Sequence, residues 1–148
     1  MASASNSQQT AIQAAEILRS HGYVVPSAAQ RTNLCVCFAE AGCVLYGRAF
    51  DVVECPAGCD LNDRASIATH LAKIRCAEIK STNRGALGSE FDGYFFDLTN
   101  AELLVAQSLG ERFCFVFVNV VTGAVKEMTL QQVFAKARKT YPKMAVAF

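Results

Sequence analysis

Ile74-Arg75-Cys76-Ala77-Glu78-Ile79-Lys80 decides how this chain is read. Apolar or β-branched residues fill most of its positions, and the turn-forming Ser81-Thr-Asn-Arg-Gly85 follows at once, so it is expected to be a strand. Strand side chains alternate between faces, which puts Glu78 and Lys80 on the same side. A carboxylate and an ammonium together make a poor core. They make a good place to hold a divalent cation and orient a water beside it. Upstream, Ala49-Phe-Asp-Val-Val53 reads as a second strand carrying one acid, Asp51. An acid there interrupts an apolar row and needs a partner, a metal or water.

Composition sets the frame around this stretch. The chain has 148 residues, 52% of them hydrophobic, and a formal net charge of +1, which fits a single globular domain rather than a disordered segment. No apolar run approaches the roughly 20 residues that span a bilayer. The first ten residues carry neither a basic residue nor a hydrophobic stretch, so a secretory leader is not expected. Residues 1–8 are read as a flexible arm, and the protein as cytoplasmic, with no membrane partner. The near-zero charge announces no polyanion partner, although a local basic patch depends on nearby charges alone.

The seven cysteines are Cys35, Cys37, Cys43, Cys55, Cys59, Cys76 and Cys114. With no leader they are expected to be reduced. Several sit in apolar, strand-like runs, where a thiol is an ordinary small hydrophobe. A zinc site from Cys35, Cys37, Cys43, Cys55 and Cys59 would need C-x-C and C-x3-C spacings with no histidine among them, and core packing is the favoured reading.

The remaining elements follow in order. Gln8–Ser20 has helical apolar spacing and a glycine stop at Gly22. Its Glu16 reads as a solvated helix-face acid, with an auxiliary metal-facing acid as the alternative. Thr32–Ala39 and Gly42–Glu54 read as two strands joined by a turn. The segment from Asp60 to Lys73 is either a short helix capped by Asp60 or Asn62, or a mobile excursion. His70 within it reads as a surface or half-buried residue. Residues 81–93 form a glycine-rich loop, and Tyr94–Leu98 another strand. Thr99-Asn-Ala-Glu102 fits a capping box before an apolar-periodic helix that stops at Gly110. Arg112–Val121 is nearly all apolar and reads as a strand buried on both faces. Thr122-Gly123 turns the chain into Ala124–Met128, and Thr129 caps a last helix over Leu130–Lys139. The expected class is α/β (α+β): one domain with a central mixed β-sheet flanked by helices.

Asp51 on one strand, Glu78-Ile-Lys80 on the next and a preceding helix together resemble the restriction-endonuclease-like superfamily, the PD-(D/E)xK nucleases. More closely, Ala77-Glu-Ile-Lys-Ser-Thr82, Phe95-Phe-Asp-Leu-Thr-Asn-Ala-Glu102 and Phe113-Cys-Phe-Val-Phe117 look like the NO VEIN C-terminal-like nuclease domain. The similarity covers about half the chain, from Ala77 onward. Phe50 stands where the superfamily motif has proline, which leaves Asp60 and Asp63 as competitors for Asp51.

The resemblance implies a magnesium- or manganese-dependent endonuclease acting on DNA, in restriction, repair or a mobile element. Such a protein acts as a homodimer or within a larger restriction or defence assembly. Asp51, Glu78 and the Ile79 carbonyl would hold the metal, and Lys80 would be catalytic. Independently of that family, the chemistry is coherent. Carboxylates hold Mg²⁺ by one or two oxygens and leave positions for water and phosphate. Lys73, Arg75 and Arg84 lie along the same strand in sequence and are expected to hold a nucleic-acid backbone, with Lys136, Arg138, Lys139 and Lys143 extending the patch. The alternative is a nuclease-fold module that binds nucleic acid or protein and has lost cleavage.

Overall fold

The computed structural model describes residues 6–148. Its class is α+β, with four strands in one mixed sheet. The strands are β1 (Val52–Glu54), β2 (Arg75–Thr82), β3 (Phe113–Asn119) and β4 (Val125–Met128), side by side in that order. β1 runs antiparallel to β2, β2 parallel to β3, and β3 antiparallel to β4. A parallel pair needs a crossover. Here it is the helix α4 (Asn100–Leu109), which returns the chain from β2 to β3. The other helices are α1 (Asn6–Ser20), α2 (Ala28–Glu40), α3 (Arg64–His70) and α5 (Leu130–Lys136).

β3 explains why the sheet is covered on both faces. All seven of its residues are buried. Phe113, Phe115 and Phe117 point into the larger core with Leu34, Phe38, Val105 and Ala106 from α2 and α4. Cys114, Val116 and Val118 point the other way, against Ala14 and Leu18 of α1. Each fully buried phenylalanine contributes about 1.5–3 kcal/mol relative to exposure, so a strand without a polar face forces a layer of helix on each side. The seven cysteines are free thiols, and Cys37, Cys76 and Cys114 are buried within these two cores. Burial pushes the Cys55 thiol up to about 12 and Cys76 up as well.

Several sequence expectations need correction. Thr32–Ala39 is not a strand but lies within α2. The apolar run 34–39 mimics an extended segment, yet the buried members are Leu34, Cys37 and Phe38, the i, i+3, i+4 spacing of a helix face. The start signal is the Ser27 capping box: Ser27 Oγ accepts from Gln30 N–H, and Gln30 Oε1 accepts from Ser27 N–H. Gly42–Glu54 is not one strand either. It is a loop with a single turn of 3-10 helix at Gly47–Ala49, and only Val52–Glu54 joins the sheet. Tyr94–Leu98 has no ladder partner. Its residues alternate in and out as in a strand, but Tyr94 and Phe96 face inward to pack on Phe117 while Phe95 faces solvent.

Smaller adjustments concern the ends. α1 begins at Asn6, so residues 6–8 of the expected arm are helical, and residues 1–5 lie outside the described residues. The segment after Asp60 does fold into a helix, α3, but its cap is Asp63, whose carboxylate accepts from Ala65 N–H. The last helix stops at Lys136, three residues early. The Thr99–Glu102 box is present as read, with Gly110 ending α4 at a φ of 57° that favours glycine.

Candidate functional site

β2 presents Glu78 and Lys80 on the face of the larger core, next to Phe115 and Phe117 of β3 in register. Lys80 Nζ lies 6.0 Å from the centre of the Phe115 ring. Both side chains are largely covered, with exposures of 13% for Glu78 and 12% for Lys80. A charge in such a place needs partners. Lys80 has two: Nζ lies 3.5 Å from Glu78 Oε1, and 3.0 and 3.1 Å from the two oxygens of Glu102.

Glu102 is the residue that sequence reasoning missed. It was legible only as the N3 member of a capping box, and it performs that role: Oε2 accepts the Thr99 N–H at 3.0 Å, and Thr99 Oγ1 accepts the Glu102 N–H at 3.2 Å. The cap fixes the carboxylate at the start of α4, where it meets the Lys80 ammonium and the Glu78 carboxyl. Its side chain is only 4% exposed.

Asp51 arrives from the segment before β1. Its backbone N–H donates to the Ala77 carbonyl at 2.9 Å, and its Oδ2 accepts the Ile79 N–H at 3.0 Å. The Asp51 carboxylate thus sits against the β2 backbone between Glu78 and Lys80. Arg31 of α2 positions the segment. Its guanidinium donates to the Gly47 carbonyl at 2.8 Å, to the Phe50 carbonyl, and to the Asp51 carbonyl at 3.4 Å, while lying 4.6 Å over the Phe50 ring. A Cβ added at Gly47 would meet Arg31 Cδ at 3.2 Å, so the close approach of this loop to α2 uses the glycine.

The electrostatics are unbalanced. Glu78 and Glu102 stand within ion-pair reach of the Lys80 ammonium, while Asp51, whose charge acts on Glu78, makes no salt bridge among the described residues. Burial pushes the Glu78 carboxyl up to about 9. The Asp51 charge adds to this, Lys80 opposes it, and Glu102 raises it further. Glu78 Oε2 is buried and has no hydrogen-bond partner. Buried polar atoms are nearly always satisfied, so an orphaned carboxylate oxygen points to a missing partner.

Other expected site residues go elsewhere. Asp60 turns back on its own loop, accepting from Asn62, and Asp63 caps α3, which leaves Asp51 as the acid beside β2. Glu16 pairs with its helix neighbour Arg19 on an exposed face and plays no part at the site. The expected basic cluster of Lys73, Arg75 and Arg84 does not form. Arg75 projects from the opposite face of β2, bound to Glu54 at 2.9 Å and Glu127 at 3.2 Å. Lys73 and Arg84 flank the two ends of an eight-residue strand, on the order of 25 Å apart at roughly 3.3 Å per residue. His70 is half-buried and bonded through Nδ1 to the Ser66 carbonyl.

Among the described residues, no group of three or more His, Cys, Asp or Glu side chains forms a ready-made metal cage, the five-cysteine set included. What converges is a pair, Asp51 and Glu78, with Glu102 turned to Lys80. Mg²⁺ is commonly held by one or two carboxylates, with waters and substrate phosphates completing its octahedron, so the pair suits that ion. Among the described residues no helix is long and apolar enough to cross a membrane. No protein-family model, curated protein or solved structure matches this chain.

Proposed function

We propose that this protein is a metal-dependent nuclease of restriction-endonuclease-like fold that hydrolyses DNA phosphodiester bonds. The observation that carries the reading is the buried, unpartnered Oε2 of Glu78 beside a second carboxylate and a captive ammonium. Asp51 and Glu78, with the Ile79 carbonyl, are the groups that would hold Mg²⁺ or Mn²⁺. Such an ion supplies Lewis acidity toward a phosphoryl oxygen and lowers the pKa of a bound water.

The chain's own residues do the rest. Asp51, anchored on the Ile79 N–H, fixes one carboxylate. Glu78 would offer the ion its buried Oε2, which has no hydrogen-bond partner in the protein. Lys80 orients the attacking water and stabilises the negative charge that develops on phosphate. One such site cuts one strand, so double-strand cleavage needs a dimer or successive nicks. The setting would be restriction, repair or a mobile element.

The test is cleavage of supercoiled plasmid and of short duplex and single-stranded oligonucleotides with Mg²⁺ or Mn²⁺. Wild type should cut, and Lys80→Ala and Asp51→Asn should not. Wild type that stays inert on all of these substrates with both metals overturns the assignment.

One observation favours a second reading, a nuclease-fold binding module without cleavage. Lys80 is gripped by both oxygens of Glu102, which withholds its amine from a substrate. In that case Lys80→Ala changes folding stability and leaves nucleic-acid binding as it was.

A further inference from the structure

A groove of about 810 Å³ lies on the same sheet face as Lys80. Residues 91–98, the start of α4, α5 and the C-terminal segment 137–143 enclose it. Its floor is Phe117, the β3 residue in register with Lys80, with Phe96 edge-on against it at 4.9 Å. Leu98 and Asn100 on its wall flank Thr99, the residue whose cap holds Glu102. The groove and the carboxylate site therefore share the N-terminus of α4.

The rim combines two features. Three aromatic rings face outward: Phe95 is 71% exposed, Tyr141 64% and Phe134 48%. Phe95 and Tyr141 stand 6.3 Å apart, ring centre to ring centre. Between them come four cations, Lys136, Arg138, Lys139 and Lys143, against two acids. Both acids are already matched, Asp92 by Lys136 at 2.7 Å and Asp97 by Lys143. Arg138 and Lys139 form no ion pair among the described residues. The two matched pairs are exposed, so they hold their lysines weakly and can yield them to a stronger anion.

Cations alone would suit any anionic surface. Outward-facing rings set between them suit an anion that also carries flat apolar faces. Duplex DNA hides those faces in its own stack, whereas a single strand offers them, and base-on-ring stacking tolerates any sequence. We propose that the groove binds single-stranded DNA, with bases stacked on Phe95 and Tyr141 and phosphates on Arg138 and Lys139. Only the further step, that the bound strand leads toward Lys80 for cleavage, rests on the nuclease reading.

The experiment is fluorescence anisotropy of the full chain with a labelled oligodeoxythymidylate of about 16 nucleotides, the upper range for one small binding domain. EDTA keeps cleavage out of the measurement, and a duplex of equal length and a matching oligoribonucleotide serve as competitors. The single DNA strand should bind at least about tenfold more tightly than the duplex, whose bases are stacked out of reach, and no less tightly than the oligoribonucleotide. Phe95→Ala and Tyr141→Ala should each weaken binding about tenfold. Arg138→Ala or Lys139→Ala should reduce the logarithmic salt slope by about 0.7. Circular dichroism melts should show these exposed-site variants folded.

Equal or better binding of the duplex, or better binding of RNA, overturns the proposal, as does indifference to the aromatic substitutions. A change of oligomeric state in light scattering on replacing Phe95 or Tyr141, with DNA binding unchanged, also overturns it, since the face would then be a self-association surface. The two readings fail separately. Binding in EDTA without cleavage in Mg²⁺ or Mn²⁺ removes the nuclease and keeps the groove. Cleavage of single strands that is unaffected by Phe95→Ala does the reverse.

Discussion

The Lys80 ammonium lies 3.0 and 3.1 Å from the two carboxylate oxygens of Glu102, 22 residues further along the chain. The same carboxylate caps α4 through the Thr99 N–H. One side chain therefore ties the end of β2 to the start of the crossover helix and holds the Lys80 amine at the candidate site. Removing Glu102 leaves Lys80 with Glu78 alone, at 3.5 Å, and the Thr99 N–H without its acceptor; hydrogen bonds to charged groups are worth about 1.5–3 kcal/mol. Glu102→Ala should fall in that range, as read from urea unfolding midpoints. Glu102→Gln retains the reciprocal cap, because glutamine also serves at that position, and should cost clearly less.

Glu78 makes the stability of the protein depend on pH in an unusual direction for a carboxylate. Its native pKa is raised to about 9 from an ordinary carboxyl value of 4.5, first by burial and then by Asp51. Between those values the native state binds more protons at this site than the unfolded chain does. The contribution is therefore complete below about pH 4.5 and is lost as pH rises toward about 9. Asp51, Lys80 and Glu102 all face the group. Glu78→Gln should flatten the fall in stability across this window, so the variant gains on wild type as pH rises. Parallel urea titrations from about pH 4.5 to about pH 9 check it. A variant that loses ground with rising pH contradicts the assignment.

A divalent cation must displace that proton. Mg²⁺ or Mn²⁺ binding should release close to one proton near neutral pH, and affinity should climb with pH up to about 9. Calorimetry in buffers of different ionisation enthalpy measures the proton directly. At a metal concentration about 100 times the dissociation constant, the folded state gains about 2.7 kcal/mol, which raises the melting temperature by several degrees. Asp51→Asn and Glu78→Gln should remove both the shift and the proton release while remaining folded.

Much of this arrangement could be read before the fold was known, and the parts that could not have physical causes. β2 and β3 were legible because their side chains answer one question each: an alternating polar pair at Glu78 and Lys80, and a run without a polar face from Phe113. The Thr99 box was legible because capping is local. α2 was misread because Cys35, Val36 and Cys37 are β-prone and adjacent, and the local pattern outweighed the helical spacing of Leu34, Cys37 and Phe38. Tyr94–Leu98 has the alternation of a strand but finds stacking partners rather than a ladder. At the site, Asp51 was singled out from a strand row that does not form there; the structure puts it, exposed, on the bend before β1 with its carboxylate on the Ile79 N–H. Glu102 was hidden, since its cap explained it fully and nothing along the chain announces a contact with Lys80. The basic patch failed because position along a strand is not proximity: Arg75 and Lys80 leave β2 on opposite faces.

Arg31 supplies the most distant test of the site. Its hydrogen bonds go to neither Glu78 nor Lys80, yet its guanidinium gathers the carbonyls of Gly47, Phe50 and Asp51 and so sets where the Asp51 carboxylate meets the Ile79 N–H. Each hydrogen bond to a charged donor is worth about 1.5–3 kcal/mol. Lysine has no fork with which to reach several carbonyls at once. Arg31→Lys should therefore free the segment 47–51, cost about 2 kcal/mol of stability in urea, and weaken Mg²⁺ or Mn²⁺ binding at a site it does not contact. The pH dependence supplies a readout that lost packing alone would not move. With Asp51 displaced, the second-largest influence raising the Glu78 pKa is relieved, and the pH window over which stability falls should end lower than in wild type. An Arg31→Lys protein that loses stability but keeps both the metal affinity and the upper edge of that window would show that Asp51 is held by β2 alone.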